Sequence, residues 1–481
     1  MLVLLLLLSD PKSAAFYADL CQKAELPGFA IAEIHDGSIQ TAFYGEKEKG
    51  TGQLVNRASV FQAASLSKPV FAYLCLRLVD QGLLDLDQPL MDLLANPRLA
   101  GEPLASKMTA RHVLAHRSGL PNWGGDHLSM RFEPGQKFGY SGEGFVYLGQ
   151  VVEKVTGRSL DALFQKEVFG PLKMRRSSFI WRTALEKDLT TPHDSTGNPS
   201  PKQRFESINV AASLLTTPED YAHFLIALCD GVGLSPESHK QMFSAQGSVV
   251  GPGDDGYGTV HLDWGLGIGL TLWQDRQIVW HWGDNGDAKA LFLIDAEGKQ
   301  GCVYFANSAE GLSIGRAVSE RFFPGLKDPF DMAGYESFDA PGRKERRMAE
   351  AFFRQGQWSE AVAAYQKAAP LVANKGELET RALWIQQLIE AKKQLIVLDR
   401  AELDRIAGHY GPRTLEVKGN GLVYSREGQK PMTLIPVAPL RFGMDRFDFF
   451  QLEVLLDESG NPVALVGHYA NGEQDRSDRT P

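Results

Sequence analysis

Strand-forming sequence stands at both ends of residues 28–306, and a helix-rich stretch separates the two groups. At the near end, Phe29 to Ile34 is rich in Ala and Ile, Asp36-Gly37 is a tight-turn dipeptide, and Ile39 to Tyr44 returns as the second arm of a hairpin. At the far end come Ile278 to Trp282, Ala290 to Ile294 and Gly301 to Ala306. Ala14 to Glu25 before the first group and about Leu312 to Phe322 after the second have helical spacing. The arrangement predicts an α+β fold. One antiparallel sheet, closed by strands from both ends of the region, is flanked by helices and interrupted by a helix-rich insert.

A chain of 481 residues exceeds what one core usually serves. Pro, Gly, Asp and Lys accumulate over residues 324–344, which marks a boundary after a large domain at 13–330. Beyond it, residues 340–396 read as a helical spacer. Arg346 to Ala369 resembles a single helix–turn–helix unit of the tetratricopeptide kind, with Gly356, Ala361 and Tyr365 at packing positions, and Glu377 to Gln394 is a further helix. Residues 399–481 change character again. Thr414 to Lys418, Leu422 to Arg426, Met432 to Val437, Phe449 to Leu456 and Val463 to His468 predict a small all-β domain, a half-open barrel.

Leu2 to Leu8 is an apolar run too short to span a bilayer. With Ser13-Ala14-Ala15 as a small-residue cleavage site, residues 1–12 read as a partial export signal lacking its basic region. The expected location is periplasmic or secreted, with the cytoplasm as the alternative, and no stable membrane span is expected. A net charge of −9 argues against a nucleic-acid partner. Cys21, Cys75, Cys229 and Cys302 form no CxxC pair and read as buried free thiols.

The strongest chemical signal is Ser65-Leu66-Ser67-Lys68-Pro69, followed by an apolar helical stretch through Leu78. Positions i and i+3 share a helix face, so Ser65 and Lys68 point the same way. Pro69 places the helix start near Ser65. Unpaired backbone N–H groups there favour a developing oxyanion. A serine hydroxyl needs a base, and Lys68 supplies one if burial lowers its pKa. Two further elements follow: Phe138-Gly139-Tyr140-Ser141-Gly142 ahead of a helix (Phe145 to Val155), and His281-Trp282-Gly283-Asp284 on a strand near the end of the large domain.

Together these resemble the superfamily of serine beta-lactamases, class C penicillin-binding proteins, D-aminopeptidases and related esterases. Its members share SxxK at a helix start, Tyr-x-Asn or Tyr-Ser-x on a loop, and Lys-Thr-Gly or His-x-Gly on an edge strand, in that order. Phe61 to Ala64, Gly82 to Asp87, His112 to Pro121 and Leu215 to Asp220 also look like this family, and the resemblance covers about residues 14–325. It implies Ser65 as nucleophile, Lys68 as the base in acylation or the group that keeps the proton network charged, and Tyr140 as a proton shuttle with its pKa lowered by two neighbouring cations. His281 stands in for the lysine of Lys-Thr-Gly and can carry charge near neutral pH. The backbone N–H groups of Ser65 and Asp284 form the oxyanion hole, with Gly283 allowing close approach. Ser141, Gly142, Trp282, Gly283, Trp123 and Asn285 are the candidate substrate-binding residues. The resemblance implies no cofactor and no metal.

Two departures bear on substrate. The family's loop asparagine is Gly142, so an amide that would grip an acylamido group is lost, and His281-Trp282-Gly283 replaces Lys-Thr-Gly. Both shift the expectation from penicillins toward carboxylic esters or small amide or peptide acyl substrates, with Trp282 and Trp123 walling an acyl pocket. A beta-lactamase or peptidase on cell-wall peptides remains the alternative, as does a weakly catalytic penicillin-binding or ligand-sensing protein. The expected partner is a small-molecule acyl substrate; the oligomeric state is left open. His112 and His116, four apart, have metal-ligand spacing but no third ligand, and read as structural.

Overall fold

The computed structural model describes residues 11–249, 262–297, 299–394, 396, 398–426 and 431–480, so the run Leu2 to Leu8 lies outside the described residues. The chain forms two compact units, Met1–Phe338 and Asp339–Pro481. Among the described residues, no helix is long and apolar enough to cross a membrane.

The first unit begins with α1 (Pro11–Lys23), which contains Ser13-Ala14-Ala15, and the hairpin β1 (Gly28–His35) and β2 (Ser38–Gly45). Asp36 and Gly37 both take positive φ, 49° and 76°, the turn whose twist matches that of the flanking strands. The insert carries β3 (Phe61–Ala64), α2 (Ser67–Asp80), α3 (Ala110–Leu114), α4 (Gly142–Thr156), β4 (Leu214–Thr216) and α5 (Pro218–Cys229). The chain returns through β5 (Gly247–Ser248), β6 (Leu262–Trp264), β7 (Gly269–Trp273), β8 (Arg276–Asp284), β9 (Lys289–Asp295) and β10 (Gln300–Ala306). The sheet runs β2-β1-β10-β9-β8-β7-β6-β5 with antiparallel pairing throughout, so strands from the two ends of the region meet at β1 and β10.

Alternation along these strands builds two cores. Ala30, Ala32, Phe292, Ile294, Val303 and Phe305 face the insert, packing with Phe71, Leu74, Phe145 and Leu148. Phe29, Ile31, Leu291, Leu293, Cys302 and Tyr304 face the other way, against Tyr17, Leu20, Ile314 and Phe323. The helix expected over Leu312 to Phe322 is shorter, a 3₁₀ turn at Gly311–Ile314 running into a helix at Gly315–Ser319. Pro324 disfavours helical backbone at Phe323, and the chain turns before it. The four cysteines are free; three are buried and Cys229 is half-buried.

The second unit opens with α6 (Arg343–Arg354) and α7 (Trp358–Ala368), turning at Gly356 with φ 76°, followed by α8 (Lys375–Gln394). A short helix, Arg400–Ile406, leads into two antiparallel meanders of four and five strands. Met432 to Val437, read as one strand, is two: Met432–Thr433 ends one sheet and Ile435–Ala438 starts the next. A bridge from Tyr410 to Arg479 joins their outer strands, so the meander curls round a core of Leu415, Tyr424, Phe442, Leu452 and Leu465. The helices read as a spacer share a core with this unit's strands, since Ile385 and Leu388 cluster with Ile435 and Val437.

Candidate active site

The three sequence elements converge, with Lys68 beside Ser65 and the Tyr140 ring, and Tyr140 in turn beside His281. Ala64, the last residue of β3, has φ 48°, a left-handed conformation costing a non-glycine residue about 1–3 kcal/mol. That turn presents Ser65 before α2 begins. The helix starts at Ser67, two residues later than expected, and Ser67 is built into the support: its Oγ donates to Ala64 O (2.6 Å) and accepts from Leu214 N (3.0 Å). Lys68 lies one residue into the helix and is fully buried. Its Nζ donates to Ser65 Oγ (3.0 Å) and Ala211 O (2.9 Å), and stands 4.8 Å from the centre of the Tyr140 ring. Burial pulls its pKa from 10.5 down to about 7.

His281 reaches Lys68 through strand parity. Val279 faces the insert, so His281 and Gly283, two and four residues on, face it too. A Cβ on Gly283 would collide with the Ala63 carbonyl, which is why the strand can pass so close to the serine turn. β7 pairs with β8 only as far as Trp280, so, among the described residues, 281–284 present a free edge on that side. Asn285 N donates to Ala288 O (3.1 Å); by the alternation of antiparallel pairs, Gly283 bonds to β9 and the Asp284 N–H points to the free edge.

The electrostatics differ from expectation in two respects. His281 is completely buried, and desolvation, helped by nearby Lys68, pulls its pKa down to about 3. It is a neutral imidazole at physiological pH, not a cation, with Nδ1 against its neighbour's carbonyl, Trp282 O (2.6 Å). Tyr140 is not flanked by two fixed cations either. Burial raises its pKa, and the Ser65 hydroxyl only partly offsets this, so the phenol keeps its proton.

The candidate substrate-binding residues divide. Trp282 leans on Tyr140, with ring centroids 5.2 Å apart, and stacks on Trp280. Trp123 is about half exposed (52%) and sits over Gly142, where a Cβ would meet the indole at 2.6 Å and Asn122 O at 2.9 Å. The indole thus occupies space that a longer side chain at 142 would need. Gly142→Asn should therefore destabilise the unit by roughly 1–3 kcal/mol. Combining it with Trp123→Ala should cost less than the sum of the two single changes, as a double-mutant cycle of denaturant midpoints would register.

Ser141 does not face substrate. It is buried, accepts from Gly144 N (3.0 Å) as the N-cap of α4, and donates to Pro121 O (2.9 Å). Asn285 is likewise structural, because its amide donates to Gln62 Oε1 (3.0 Å) and Ala212 O (3.2 Å), tying the end of β8 to the serine segment. The side chain of Asp284 ion-pairs with Lys289 and accepts from Tyr335, fixing the strand end. The sequence reading missed Tyr335, the Ala211 carbonyl and His116. The first two carry no local signal. His116 lies in a stretch already matched to the family, but its spacing from His112 suggested a shared helix face; the helix ends at Leu114 and His116 turns off it with φ 53°.

Comparison with known proteins gives the chain's family and fold. Residues 14–320 match the family model described as Beta-lactamase. Penicillin-binding protein 4 of Amycolatopsis lactamdurans is 27% identical over 288 residues, 54% of this chain and 75% of that protein. Esterase EstB of Burkholderia gladioli is 25% identical over 377 residues, 66% of this chain and 92% of that protein. Among solved structures, the octameric penicillin-binding protein homologue from Pyrococcus abyssi shares the fold with a TM-score of 0.55 at 19% identity, covering 97% of this chain and 99% of its own. The D-alanine carboxypeptidase AmpC from Burkholderia cenocepacia aligns with a TM-score of 0.54 at 18% identity, covering 64% of this chain and 97% of its own. With a serine–lysine pair set beside a buried tyrosine and a free strand edge, and with the family model matching well over half its length, the chain belongs to the beta-lactamase family of serine hydrolases.

Proposed function

We propose that the protein hydrolyses carboxylic esters or small amide-like acyl substrates through an acyl-enzyme on Ser65. The observation that carries this reading is the buried Lys68 Nζ, 3.0 Å from Ser65 Oγ with a pKa near 7, because a lysine so placed is substantially neutral at physiological pH and can accept the serine proton. Ser65 Oγ forms its bond to the substrate carbonyl carbon as its proton passes to Lys68. The carbonyl oxygen gains charge against the N–H groups of Ser65 and Asp284. Tyr140, held as a phenol, donates a proton to the leaving alcohol or amine and recovers one through Lys68. Water then attacks the acyl carbon, giving up a proton to the same network, and the acid leaves as Ser65 regains its hydrogen.

The choice of esters rests on what the site lacks and what walls it. His281 is neutral, so the edge strand offers no fixed cation to a substrate carboxylate, and Gly142 offers no amide. Trp282 and the exposed Trp123 favour an apolar acyl or alcohol group. A second reading, hydrolysis of a cell-wall peptide or a beta-lactam, is favoured by the similarity to penicillin-binding protein 4 and by the free edge at 281–284, where an extended peptide can add as a strand.

Comparing turnover of a short-chain nitrophenyl ester with that of a chromogenic cephalosporin, alongside intact mass after incubation with a penicillin, tests the choice. Faster ester turnover with no lasting penicilloyl adduct is the expected result. A stable adduct would move the protein to the peptidase class. Slow labelling without turnover of either substrate would mark it as a binding protein.

A further inference from the structure

His116 touches the catalytic loop at three consecutive residues. Its backbone oxygen accepts from Gly139 N (2.7 Å), its Nδ1 accepts from Ser141 N (3.0 Å), and its ring lies against that of Tyr140, with centroids 4.1 Å apart and planes 30° from parallel. The imidazole is completely buried. It is held from other directions by Phe145 at 5.1 Å, Trp264 at 5.2 Å and Phe138 at 5.8 Å. On its far side, Tyr140 meets Trp282. Apart from its interaction with the Ser65 hydroxyl, Tyr140 OH has no hydrogen-bond partner among the described residues. The ring is therefore located by the faces on either side of it and by the backbone before and after it, and His116 supplies one face and both backbone anchors.

We infer that His116 is a positioning residue for Tyr140, setting the phenol at Ser65 by stacking beneath its ring and by accepting the N–H of the residue that follows it. This inference rests on the acyl-enzyme reading above. The acceptor role fixes the neutral tautomer: with Nδ1 receiving the Ser141 hydrogen, the ring proton is on Nε2. The charged groups facing the ring are Lys68 and, when protonated, His281. Burial first, then these two, hold His116 far below its ordinary pKa, so it keeps this tautomer across the pH range in which Lys68 titrates. Its left-handed backbone, φ 53°, is what lets one residue turn both its carbonyl and its side chain toward the same loop.

The variant His116→Asn separates positioning from folding. Asparagine tolerates left-handed backbone, and its Oδ1 can stand where Nδ1 accepts from Ser141, while the stacking face is lost. Active sites are counted by stoichiometric fluorophosphonate labelling, and kcat for a nitrophenyl ester is expressed per labelled site. His116→Asn should lower kcat ten- to a hundredfold with KM within about threefold of wild type. In a Tyr140→Phe background the same change should cost less than about twofold, because groups acting as one unit are not additive. His116→Phe, which keeps the ring and loses the acceptor, should stay within about fivefold of wild type, and it decides the matter if the asparagine variant does not fold. Unchanged kcat per labelled site in His116→Asn, or a loss fully additive to that of Tyr140→Phe, would overturn the inference. Absence of label on the wild-type protein would instead refute the acyl-enzyme reading beneath it.

Discussion

Ser65→Ala should take no covalent label from a fluorophosphonate and should turn over a nitrophenyl ester several powers of ten more slowly than wild type. The size of the effect follows from the way the site is coupled. Lys68 and Tyr140 are arranged around one oxygen, and removing that oxygen leaves a base and an acid with nothing to act on. What survives is binding and the oxyanion N–H groups. The change should not disturb the fold, because the turn at Ala64 is held by Ser67 and Leu214 and not by the Ser65 hydroxyl. Intact-mass measurement on both proteins, with a thermal melt as control, checks both statements. Full activity in Ser65→Ala would remove the nucleophile from the proposal altogether.

Lys68→Met is expected to lose a comparable amount of activity while making the first unit more stable at pH 7. Lowering the lysine pKa from 10.5 to about 7 corresponds to roughly 5 kcal/mol of burial cost, at about 1.4 kcal/mol per pKa unit. Between those two values the unfolded chain binds more protons at this group than the native one, so wild-type stability rises with pH across the window. The cost is complete below about pH 7 and gone above 10.5. Methionine avoids it but strands the Ala211 carbonyl, worth about 1–3 kcal/mol. A net gain of about 2–4 kcal/mol at pH 7 should therefore shrink, and then reverse, as the pH approaches 10.5. Melting temperatures of both proteins from pH 6 to 10 measure it. The same titration sets the wild-type pH profile, in which kcat/KM should climb as Lys68 loses its proton near pH 7 and then level off. A flat profile across that range would show that Lys68 is not the base.

The hairpin and the late strands were legible because each carries its own local signal. Asp36-Gly37 requires the positive φ values it adopts, and β9 and β10 alternate between two buried faces. The shortened helix after β10 was partly legible in Pro324, whose effect falls on the residue before it. The site was legible as a set of motifs but not as an electrostatic environment. Whether His281 is charged depends on how completely the insert covers it, and sequence spacing holds no information about burial of that kind. Ser141 and Asn285 sat at the right places in the motifs, yet their side chains were taken by local needs, a helix cap and a tie between segments.

What the sequence determined by itself is the chemistry's inventory and its order: a serine three residues before a lysine, a tyrosine on a loop, and a histidine on a strand whose two-residue period turns it toward the insert. Those are matters of residue type and short-range periodicity. Only the tertiary structure decided which of these groups carry charge and which hold others in place. Desolvation brings the Lys68 pKa down to about 7 and leaves His281 neutral, Tyr140 keeps its proton, and His116 reaches the residues on both sides of Tyr140 from 25 positions upstream of Ser141. Each of these outcomes depends on the number and kind of atoms that packing brings around a group, and that is set by segments far apart in the chain.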